Sequence, residues 1–492
     1  MKRLFLCALA AALALTGCGA SAGTAASAVS GTSAAAQQAA AQSTAAAGST
    51  LLDCTGTRDV TISAAGSYTL TGTLTGTVVV EVSKSDDVEL ILQNLTVTAA
   101  DGPALWVKKA GSVTVTLPAG TASTLTDSAA YTVQTDEEPN AALFCNADLT
   151  ITGEGSLTVT GLLDHAVRCK DSLEVAGGSL TLTAVGKGLK AKDTLTVSGG
   201  SVTVTDSEEG MEANTLCITG GVSDVTARDD GLNASSPDNW TGDAPNMTVS
   251  GGTLLVDAGG DGLDSNGTLT VSGGVVLVSG PTSSGDGALD AESTPVITGG
   301  VVLAAGSSGM AVNFGGSSTQ ASWLASTGSQ PAGTSLTLTD DNGAVLAHWT
   351  PAKAYQCAVV STPAMAQGGS YTLLTGAAAD AADEHGYAAG GSASGGETAA
   401  QTTLTALNQS DIQGMGGGMR GGGMPGTDGA RPERIFGENG GKGGKMGLTP
   451  PDGAADAAPP QDAPARPDTA TGATPPDETT GQSSGTEIRA AL

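Results

Sequence analysis

Aromatic and cationic residues are scarce in this chain, and their scarcity excludes a class of partner. Phe, Trp and Tyr together make up 3% of its 492 residues, and 20 Lys and Arg stand against 49 Asp and Glu, for a net charge of −29. Binding to nucleic acid needs clustered cations that neutralise phosphates. The balance therefore argues against DNA or RNA, and it permits cations, neutral glycans, or acidic glycans held through bridging cations.

Histidine and paired cysteines are scarce as well. With only His165, His348 and His385, the sequence contains no H-E-x-x-H motif and no convincing Ser/His/Asp or Cys/His set. None of the seven Cys lies in a C-x-x-C motif, which leaves a zinc knuckle or a thioredoxin-like site without support. Five Cys follow Cys18, and this odd number excludes a complete disulfide framework.

The first residues are typical of an exported protein. Lys2 and Arg3 precede an apolar stretch that is too short to span a bilayer, which predicts a signal peptide. The Leu-Thr-Gly-Cys sequence that ends at Cys18 resembles the bacterial lipobox, which implies cleavage before Cys18 and lipidation of its thiol. We expect residues 1–18 to be a lipoprotein signal peptide and the protein to be anchored to the outer face of the bacterial cell membrane. An ordinary cleaved signal is the alternative.

Composition divides the remaining chain into four parts. Residues 19–50 are almost all Ala, Ser, Thr, Gly and Gln, a composition that indicates a spacer. Short β segments and repeats occupy 51–320. The repeat is lost in 321–376, where an Asp-Asn-Gly turn at 341–343 predicts antiparallel hairpins that cap an open strand edge. Residues 377–492 are of low complexity, and we expect them to be disordered.

The most informative positive feature is a repeat with Gly-Gly corners. Successive corners lie 22, 21, 31, 22 and 26 residues apart. A period near 22 is too short for helical pairs and suits one coil of a β-solenoid. The corners are Gly177-Gly178, Gly199-Gly200, Gly220-Gly221, Gly251-Gly252, Gly273-Gly274 and Gly299-Gly300.

Stacked coils would place equivalent residues in columns. One predicted inward column is apolar throughout and consists of Leu143, Val167, Leu189, Met211, Leu232, Leu263 and Leu289. Small residues stand two positions further on, which suggests a narrow interior. Cys145 and Cys169 belong to this small set, and we expect them to be neighbours that remain buried free thiols rather than form a bridge.

Acidic residues stand at the corners that open the later coils and in the outward position after the inward Leu or Met. Neighbouring parallel strands lie about 4.8 Å apart. Two negative charges at that distance repel by about 0.9 kcal/mol in water and about 3.5 kcal/mol at an effective dielectric near 20, so the column favours a counter-ion. Calcium fits, because carboxylates on adjacent coils can share one ion. The predicted ligands are Glu209, Glu212, Asp229, Asp230, Asn233, Asp261, Asp264, Asp286 and Asp290. The alternative is a solvated acidic ridge.

Basic and aromatic residues precede the acidic ones in the same outward column. Arg168 and Lys190 are suited to binding an acidic polysaccharide, and in an enzyme either could act as a base. A ladder of salt bridges to the acidic coil is the alternative. Trp106 and Phe144 come before them, and exposed rings in a row could stack against pyranose faces or simply cover an apolar edge. Trp240, in an insertion that lengthens one coil, is another candidate for sugar contact.

Long stretches of the chain resemble a known family. The run from Asp86 to Asp127, the segment DEEPNAALFCNADLTITGEGSLTVTG and the coil KGLKAKDTLTVSGG are similar to the carbohydrate-binding domain-containing family of secreted clostridial proteins. The resemblance covers about 55–376. It implies a right-handed parallel β-helix that holds calcium between coils, binds cellulose or polygalacturonate, and is related to calcium-dependent pectate lyases without established lyase activity.

The family's Asp-Gly corners are kept in part. They match Asp229-Asp230-Gly231 and the two following Asp-Gly corners, but two earlier coils carry Asp-His-Ala at 164–166 and Gly-Lys-Gly at 186–188 instead. The resemblance therefore places calcium in the later coils. It also implies that Trp106 and Phe144 keep the family's outward aromatic position.

These observations together predict a lipid-anchored, monomeric, non-catalytic cell-surface protein that binds plant-type polysaccharide and uses calcium to brace its coils. One alternative is a calcium-dependent polysaccharide lyase with Arg168 or Lys190 as the base. The other is a structural or adhesive surface rod without glycan specificity.

Overall fold

The computed structural model describes residues 46–132, 138–237 and 240–412, and these residues form β-strands, bridges and turns without a helix. No helix long and apolar enough to cross a membrane occurs among them. The predicted signal peptide with Cys18, nearly all of the spacer, and the sequence after 412 lie outside this description.

The strands form three sheets, which we number 1 to 3. In chain order the strands are β1 Thr50–Asp53, β2 Gly56–Thr57, β3 Val60–Ile62, β4 Gly66–Thr75, β5 Val78–Glu81, β6 Asp87–Thr98, β7 Leu105–Lys109, β8 Ser112–Leu117, β9 Ala122–Thr126, β10 Ala141–Cys145, β11 Asp148–Gly153, β12 Ser156–Gly161, β13 His165–Cys169, β14 Leu173–Val175, β15 Ser179–Ala184, β16 Lys187–Ala191, β17 Thr194–Val197, β18 Ser201–Asp206, β19 Glu209–Ala213, β20 Thr215–Ile218, β21 Val222–Ala227, β22 Leu232–Ala234, β23 Asn246–Ala258, β24 Leu263–Ser265, β25 Thr268–Ser279, β26 Leu289–Ala291, β27 Val296–Gly306, β28 Ser322–Gln330, β29 Leu336–Asp340, β30 Val345–Trp349, β31 Tyr355–Ser361, β32 Ser370–Ala379, β33 Ala393–Thr403 and β34 Asn408–Ser410.

Sheet 2 shows how the repeat folds. Its ten strands follow the order β3, β5, β7, β10, β13, β16, β19, β22, β24 and β26, and each neighbouring pair is parallel. Each pairing joins a residue to its equivalent in the next coil, as Leu143 with Val167 and Val167 with Leu189. The predicted all-β architecture with parallel strands stacked coil upon coil is therefore confirmed.

Sheet 1 takes the remaining strands of each coil. The Gly-Gly corner separates two strands in the earlier coils, as between β14 and β15, but lies within one irregular strand in β23, β25 and β27. Stacked corners approach so closely that side chains do not fit between them. At Gly200, for example, φ is +71° and an added Cβ would collide with the Gly178 carbonyl oxygen.

The core lies between the sheets and follows the predicted inward column. All seven of its members are fully buried, with at most 1% of their surface exposed. Cys145 and Cys169 pair in register beside it and are buried free thiols, as predicted. Alternation of apolar and polar residues in the strands thus places one face of each strand inside.

The outward face of sheet 1 changes character along the chain. One column runs through Thr124, Thr158, Thr181 and Thr203 and then Asp224, before it continues with Leu255, Leu277 and Leu303. The three leucines contact an apolar cluster that includes Trp323, Leu336 and Tyr355. The C-terminal part of the chain therefore packs against the side of the last coils, where both strand faces are apolar.

The strands from β28 to β34, which we call the C-terminal unit, also cover the edge of the last coil. Strand β31 pairs antiparallel with β27, and sheet 3 forms from β30, β29, β32 and β33 in antiparallel order. The predicted turn at 341–343 joins β29 to β30, with the Gly343 amide donating to the Asp340 carbonyl at 3.1 Å.

The unit is longer than the sequence predicts. Strands β33 and β34 lie beyond residue 376, so the prediction of disorder from residue 377 is wrong for 377–412. Strand β33 has little apolar alternation and is held by its ladder to β32 instead. Beyond it, the Trp323 Nε1 donates to Asp411 Oδ2 at 2.7 Å, a contact no local pattern reveals.

Candidate functional site

The predicted outward column exists, and it runs along the outer face of sheet 2. Parallel pairing places one residue of each coil above the next, about 4.8 Å apart. In order, its members are Trp106, Phe144, Arg168, Lys190, Glu212, Asn233, Asp264 and Asp290. We call this set the outward column. Its first half is aromatic and basic and its second half is acidic or amide-bearing.

The two aromatic residues of the column are not exposed. Trp106 is 5% exposed and Phe144 is 0% exposed, and they pack together with Ala141. The Lys108 Nζ lies 4.3 Å from the centroid of the Trp106 ring, and Arg168 and Lys170 lie 5.9 Å and 5.7 Å from that of Phe144. The prediction of an exposed aromatic stack is therefore wrong, because long cationic side chains fold over the rings.

The two basic residues of the column are engaged by the protein itself. An Arg168 Nη1 donates to Asn140 Oδ1, and burial lowers the pKa of Arg168 from its usual range. The Lys190 Nζ forms an ion pair of 2.8 Å with Glu212 on the next coil. Asn140 and Asp164, joined by a hydrogen bond of 2.6 Å, were not predicted as site residues, although both lie in segments that were compared with the family.

Lys187 forms a second link between the same two coils. Its Nζ lies 2.9 Å from Glu208 Oε2 and 3.0 Å from Glu209 Oε1. Burial alone would lower the pKa of Lys187, but the hydrogen bonds and charges of Glu208 and Glu209 outweigh it and raise the pKa. The structure thus contains the ladder of salt bridges that was the alternative for the basic residues.

His165 lies beside this ladder as a neutral residue. Burial, followed by the charges of Lys190, Arg168 and Lys187, lowers the pKa of His165 to about 2. Its Nδ1 accepts a hydrogen bond of 3.0 Å from the Lys187 amide. A nitrogen that accepts this bond has no proton to share, so the 3.1 Å contact with Asp164 is not an ion pair.

Three carboxylates come together in the acidic half. Oxygen atoms of Asp261, Asp264 and Asp290 all lie within 4.8 Å of one another. Burial, followed by the neighbouring negative charges, raises the pKa of Asp264 to about 7. Burial is also the main reason why the pKa values of Asp230 and Asp261 are raised to about 6 each. Among the residues that the structure describes, no Lys, Arg or His forms an ion pair with these three carboxylates.

Two buried oxygens next to the cluster have no hydrogen-bond donor within the described parts of the chain. They are Oε2 of Glu209 and Oδ1 of Asn233. The Asn233 side-chain Nδ2 donates to Asp230 Oδ2 at 3.4 Å, whereas Asn233 Oδ1 accepts no hydrogen bond from the described residues. Buried polar atoms are nearly always paired, so oxygens left in this state are suited to a cation.

Backbone amides fix two of the carboxylates. The Asp261 amide donates to Asp230 Oδ1 at 2.8 Å, and the Gly287 amide donates to Asp261 Oδ1 at 2.6 Å. Of the other predicted ligands, Glu212 is paired with Lys190, Asp229 is exposed, and Asp286 lies outside the group of three. The acidic half thus presents preset oxygen atoms on adjacent coils.

Comparison with known proteins finds the same family by similarity, over part of the chain. Residues 56–251 match the model of a family described as carbohydrate-binding domain-containing protein. A protein of that description from Acetivibrio thermocellus is 31% identical over 130 residues, which are 26% of this chain and 46% of the relative. The chain thus spans about half the length of this curated relative.

One solved structure is also similar in part. It is titled "Structure of the polysaccharide lyase-like protein from C. thermocellum, Gadolinium derivative". It is 27% identical in sequence, and the match covers 49% of this chain and 88% of that one with a TM-score of 0.39.

Proposed function

We propose that this protein is a carbohydrate-binding protein that recognises an acidic plant-type polysaccharide at the outward column, on a right-handed parallel β-helix braced by calcium. The family match over residues 56–251 supports the ligand class. The observation that carries the proposal is the division of one column into a basic half and an acidic half that lacks counter-ions. A chain of uronates, with a carboxylate on each ring, complements such a surface, since cations and bound calcium alike attract carboxylates.

Calcium fits the acidic half. Asp261, Asp264 and Asp290 would hold the ion, and the unpaired oxygens of Glu209 and Asn233 lie on the two preceding coils. Bound there, the ion would neutralise the carboxylates and attract the acidic groups of a sugar chain. Oxygen-only ligands of this kind suit a hard cation such as calcium rather than zinc.

The state of the aromatic residues favours an acidic glycan over cellulose. Binding of a neutral, flat glucan needs exposed rings, and Trp106 and Phe144 are covered by cationic side chains. Arg168 and Lys190 are held in place by Asn140 and Glu212, so their positions are set before a ligand arrives. Calcium-bridged uronate is therefore the ligand that this column would bind best.

We also propose that the protein is displayed on the cell surface through a lipid on Cys18. The support is the lipobox-like sequence before that residue. Replacement of Cys18 by Ser should move the protein from the membrane fraction to the medium, and retention in the membrane would contradict the anchor.

A lyase is the second candidate, and one observation favours it. Arg168 lies in the outward column beside Lys190, and burial lowers its pKa from the usual range, which is the direction that a base requires. In β-elimination the base removes the C5 proton of a uronate, the bond between C4 and the leaving sugar oxygen breaks, a C4–C5 double bond forms, and the leaving oxygen takes a proton from water. Ultraviolet absorbance of released unsaturated uronides decides between binding alone and cleavage.

The deciding experiment is co-sedimentation of the mature protein with polygalacturonate coupled covalently to a gel and with cellulose, in calcium and in chelator. Covalent coupling keeps the acidic gel intact when the chelator removes calcium. We expect retention on the acidic gel in calcium, loss in chelator, and loss in the double variant Asp261→Asn/Asp264→Asn. Asp224→Asn, which removes an exposed carboxylate on sheet 1, is the matched control and should bind normally. Equal retention of the double variant would contradict the calcium-dependent site, and absence of wild-type binding would favour a structural surface protein.

A further inference from the structure

Trp240 differs from the other tryptophans of this chain. Trp106, Trp323 and Trp349 are 5%, 0% and 6% exposed, whereas Trp240 is half-buried. It lies in the insertion between β22 and β23, outside the outward column. An indole that the core does not use is therefore accessible in a chain with few aromatic residues.

The indole is held in a fixed orientation. Its Nε1 donates to the Asp243 carbonyl oxygen at 2.7 Å, and the Asn214 side-chain amide donates to the same oxygen at 3.2 Å. The Asn214 amide also donates to Ser236 Oγ at 2.9 Å. These bonds tie both ends of the insertion to the corner after β19, so the ring does not depend on its own loop alone.

Gly242 supports one side of the ring. A Cβ atom added at Gly242 would lie 2.5 Å from Cζ2 and 2.6 Å from Cε2 of Trp240. Such distances are well inside van der Waals contact, so the ring packs directly against the backbone of residue 242. Any larger residue at 242 would push the indole out of its present position.

A lysine from an earlier coil lies near the ring. The Lys192 Nζ is 5.7 Å from the ring centroid, at the outer limit of cation–π contact, and the Lys192 side chain is 48% exposed. Its nearest carboxylate oxygen, on Asp193, is 3.9 Å away. The ammonium is thus close to the indole and only loosely paired, which leaves it able to meet a carboxylate.

We propose that Trp240 and Lys192 form a second sugar subsite, in which the indole stacks on a pyranose ring of an acidic polysaccharide and Lys192 binds its carboxylate. The apolar C–H face of a pyranose matches the indole, and the fixed ring loses little conformational entropy on binding. The subsite rests on the proposed function for its ligand class but requires neither calcium nor the outward column. Lys190 of the outward column lies on β16, and Lys192 directly follows that strand. Because the Lys192 Nζ is 5.7 Å from the centroid of the Trp240 ring, one sugar chain that crosses sheet 2 can reach both sites.

The test is titration of the mature protein with a soluble galacturonate oligosaccharide in calcium, read by tryptophan fluorescence and by calorimetry. We expect Trp240→Ala to weaken binding by about three- to tenfold, the magnitude of one well-placed stacking contact. Gly242→Ala should weaken it similarly, since it moves the ring without removing it. Trp240→Phe should retain part of the affinity, and Thr241→Ala, an exposed change in the same loop, should retain all of it.

A fluorescence control separates this subsite from the outward column. Bound ligand should protect wild-type fluorescence from acrylamide quenching, and Trp240→Phe should abolish this protection because the other tryptophans are buried. If wild type binds and both Trp240→Ala and Gly242→Ala bind equally well, the subsite is wrong while the proposed function stands. If wild type does not bind, both fail. Unchanged melting temperatures of the variants exclude misfolding as the cause.

Discussion

The two halves of the outward column have the same backbone geometry and opposite electrostatic states. In the basic half each cation has a partner within the protein, Arg168 with Asn140 and Lys190 with Glu212. In the acidic half, Asp261, Asp264 and Asp290 face one another without a cation among the described residues. Equivalent positions of a repeated fold can therefore be held by partners within the protein in one region and present oxygen atoms without a cation in another.

The boundary between the halves lies at β19. Glu209, three residues before Glu212, pairs through Oε1 with Lys187, and its buried Oε2 has no donor among the described residues. The same side chain therefore belongs to the salt-bridge ladder and to the candidate cation site. Five measurements test whether the halves differ in this way.

The largest effect is expected from the glycines at the starts of sheet 2 strands, Gly231 before β22 and Gly188 in β16. A Cβ on Gly231 would collide with Val256 Cγ1 and lie 2.6 Å from the Gly262 carbonyl oxygen, whereas one on Gly188 would lie 2.8 Å from the Gly210 carbonyl oxygen. Gly231→Ala should lower the free energy of unfolding by about 3 kcal/mol and Gly188→Ala by about 1 kcal/mol. Chemical denaturation measures both. Gly285→Ala, with only Ser283 Oγ nearby at 3.5 Å, is the control and should be nearly neutral.

Calcium should stabilise the protein through the acidic half alone. At a free concentration one hundred times the dissociation constant, a single site adds about 2.7 kcal/mol to the free energy of unfolding. Asp264→Asn should remove most of this gain and Lys190→Gln should leave it intact. Thermal unfolding in calcium and in chelator measures the difference, and an equal gain in both variants would show that the halves do not differ in this way.

The pH dependence should reveal the missing counter-ions. The pKa values of Asp230 and Asp261 are about 6 and that of Asp264 is about 7 in the folded protein, above the ordinary value of 3.8. Between the ordinary pKa of 3.8 and these raised values, the folded state binds more protons than the unfolded state. Loss of those protons as the pH rises therefore lowers the free energy of unfolding. In chelator, stability should fall by about 2 kcal/mol from pH 4 to pH 7, after allowance for partial exposure, and level off above. A stability that rises over this range would contradict the cluster.

The Lys190–Glu212 pair should show the smaller, structural effect of the basic half. Both side chains are largely covered, so Lys190→Met or Glu212→Gln should each cost about 1 kcal/mol, with a favourable coupling between them in a double-mutant cycle. A coupling near zero would mean that the pair does not hold the coils together.

The smallest effect is expected for Arg228 and Asp206. Their ion pair of 2.7 Å joins side chains that are 51% and 55% exposed. Exposed pairs contribute little, so removal of either should change the free energy of unfolding by about 0.5 kcal/mol or less. A loss as large as that of Lys190→Met would remove the distinction between buried and exposed pairs on this fold.

Much of the fold was predictable because two periods coincide in the sequence. Alternation within each strand assigns inward and outward faces, and the repeat near 22 residues brings equivalent positions together, so the column from Trp106 to Asp290 could be written down in order. The exposure of its members could not be predicted from the sequence, since it depends on where long side chains lie. Lys108 covers Trp106, and no spacing rule distinguishes a lysine that covers a ring from one that faces solvent.

The stacking of parallel strands, their register and the charge order of the column follow from local alternation and repetition in the sequence. Packing of distant segments sets which charges find partners, buries the column's aromatic residues, and joins strand β33 to a sheet at 393–403. Those outcomes depend on contacts between residues that are distant in the chain, such as the Trp323 indole and Asp411, which are 88 positions apart. Local patterns carry no information on such contacts, since they arise only when whole sheets pack together.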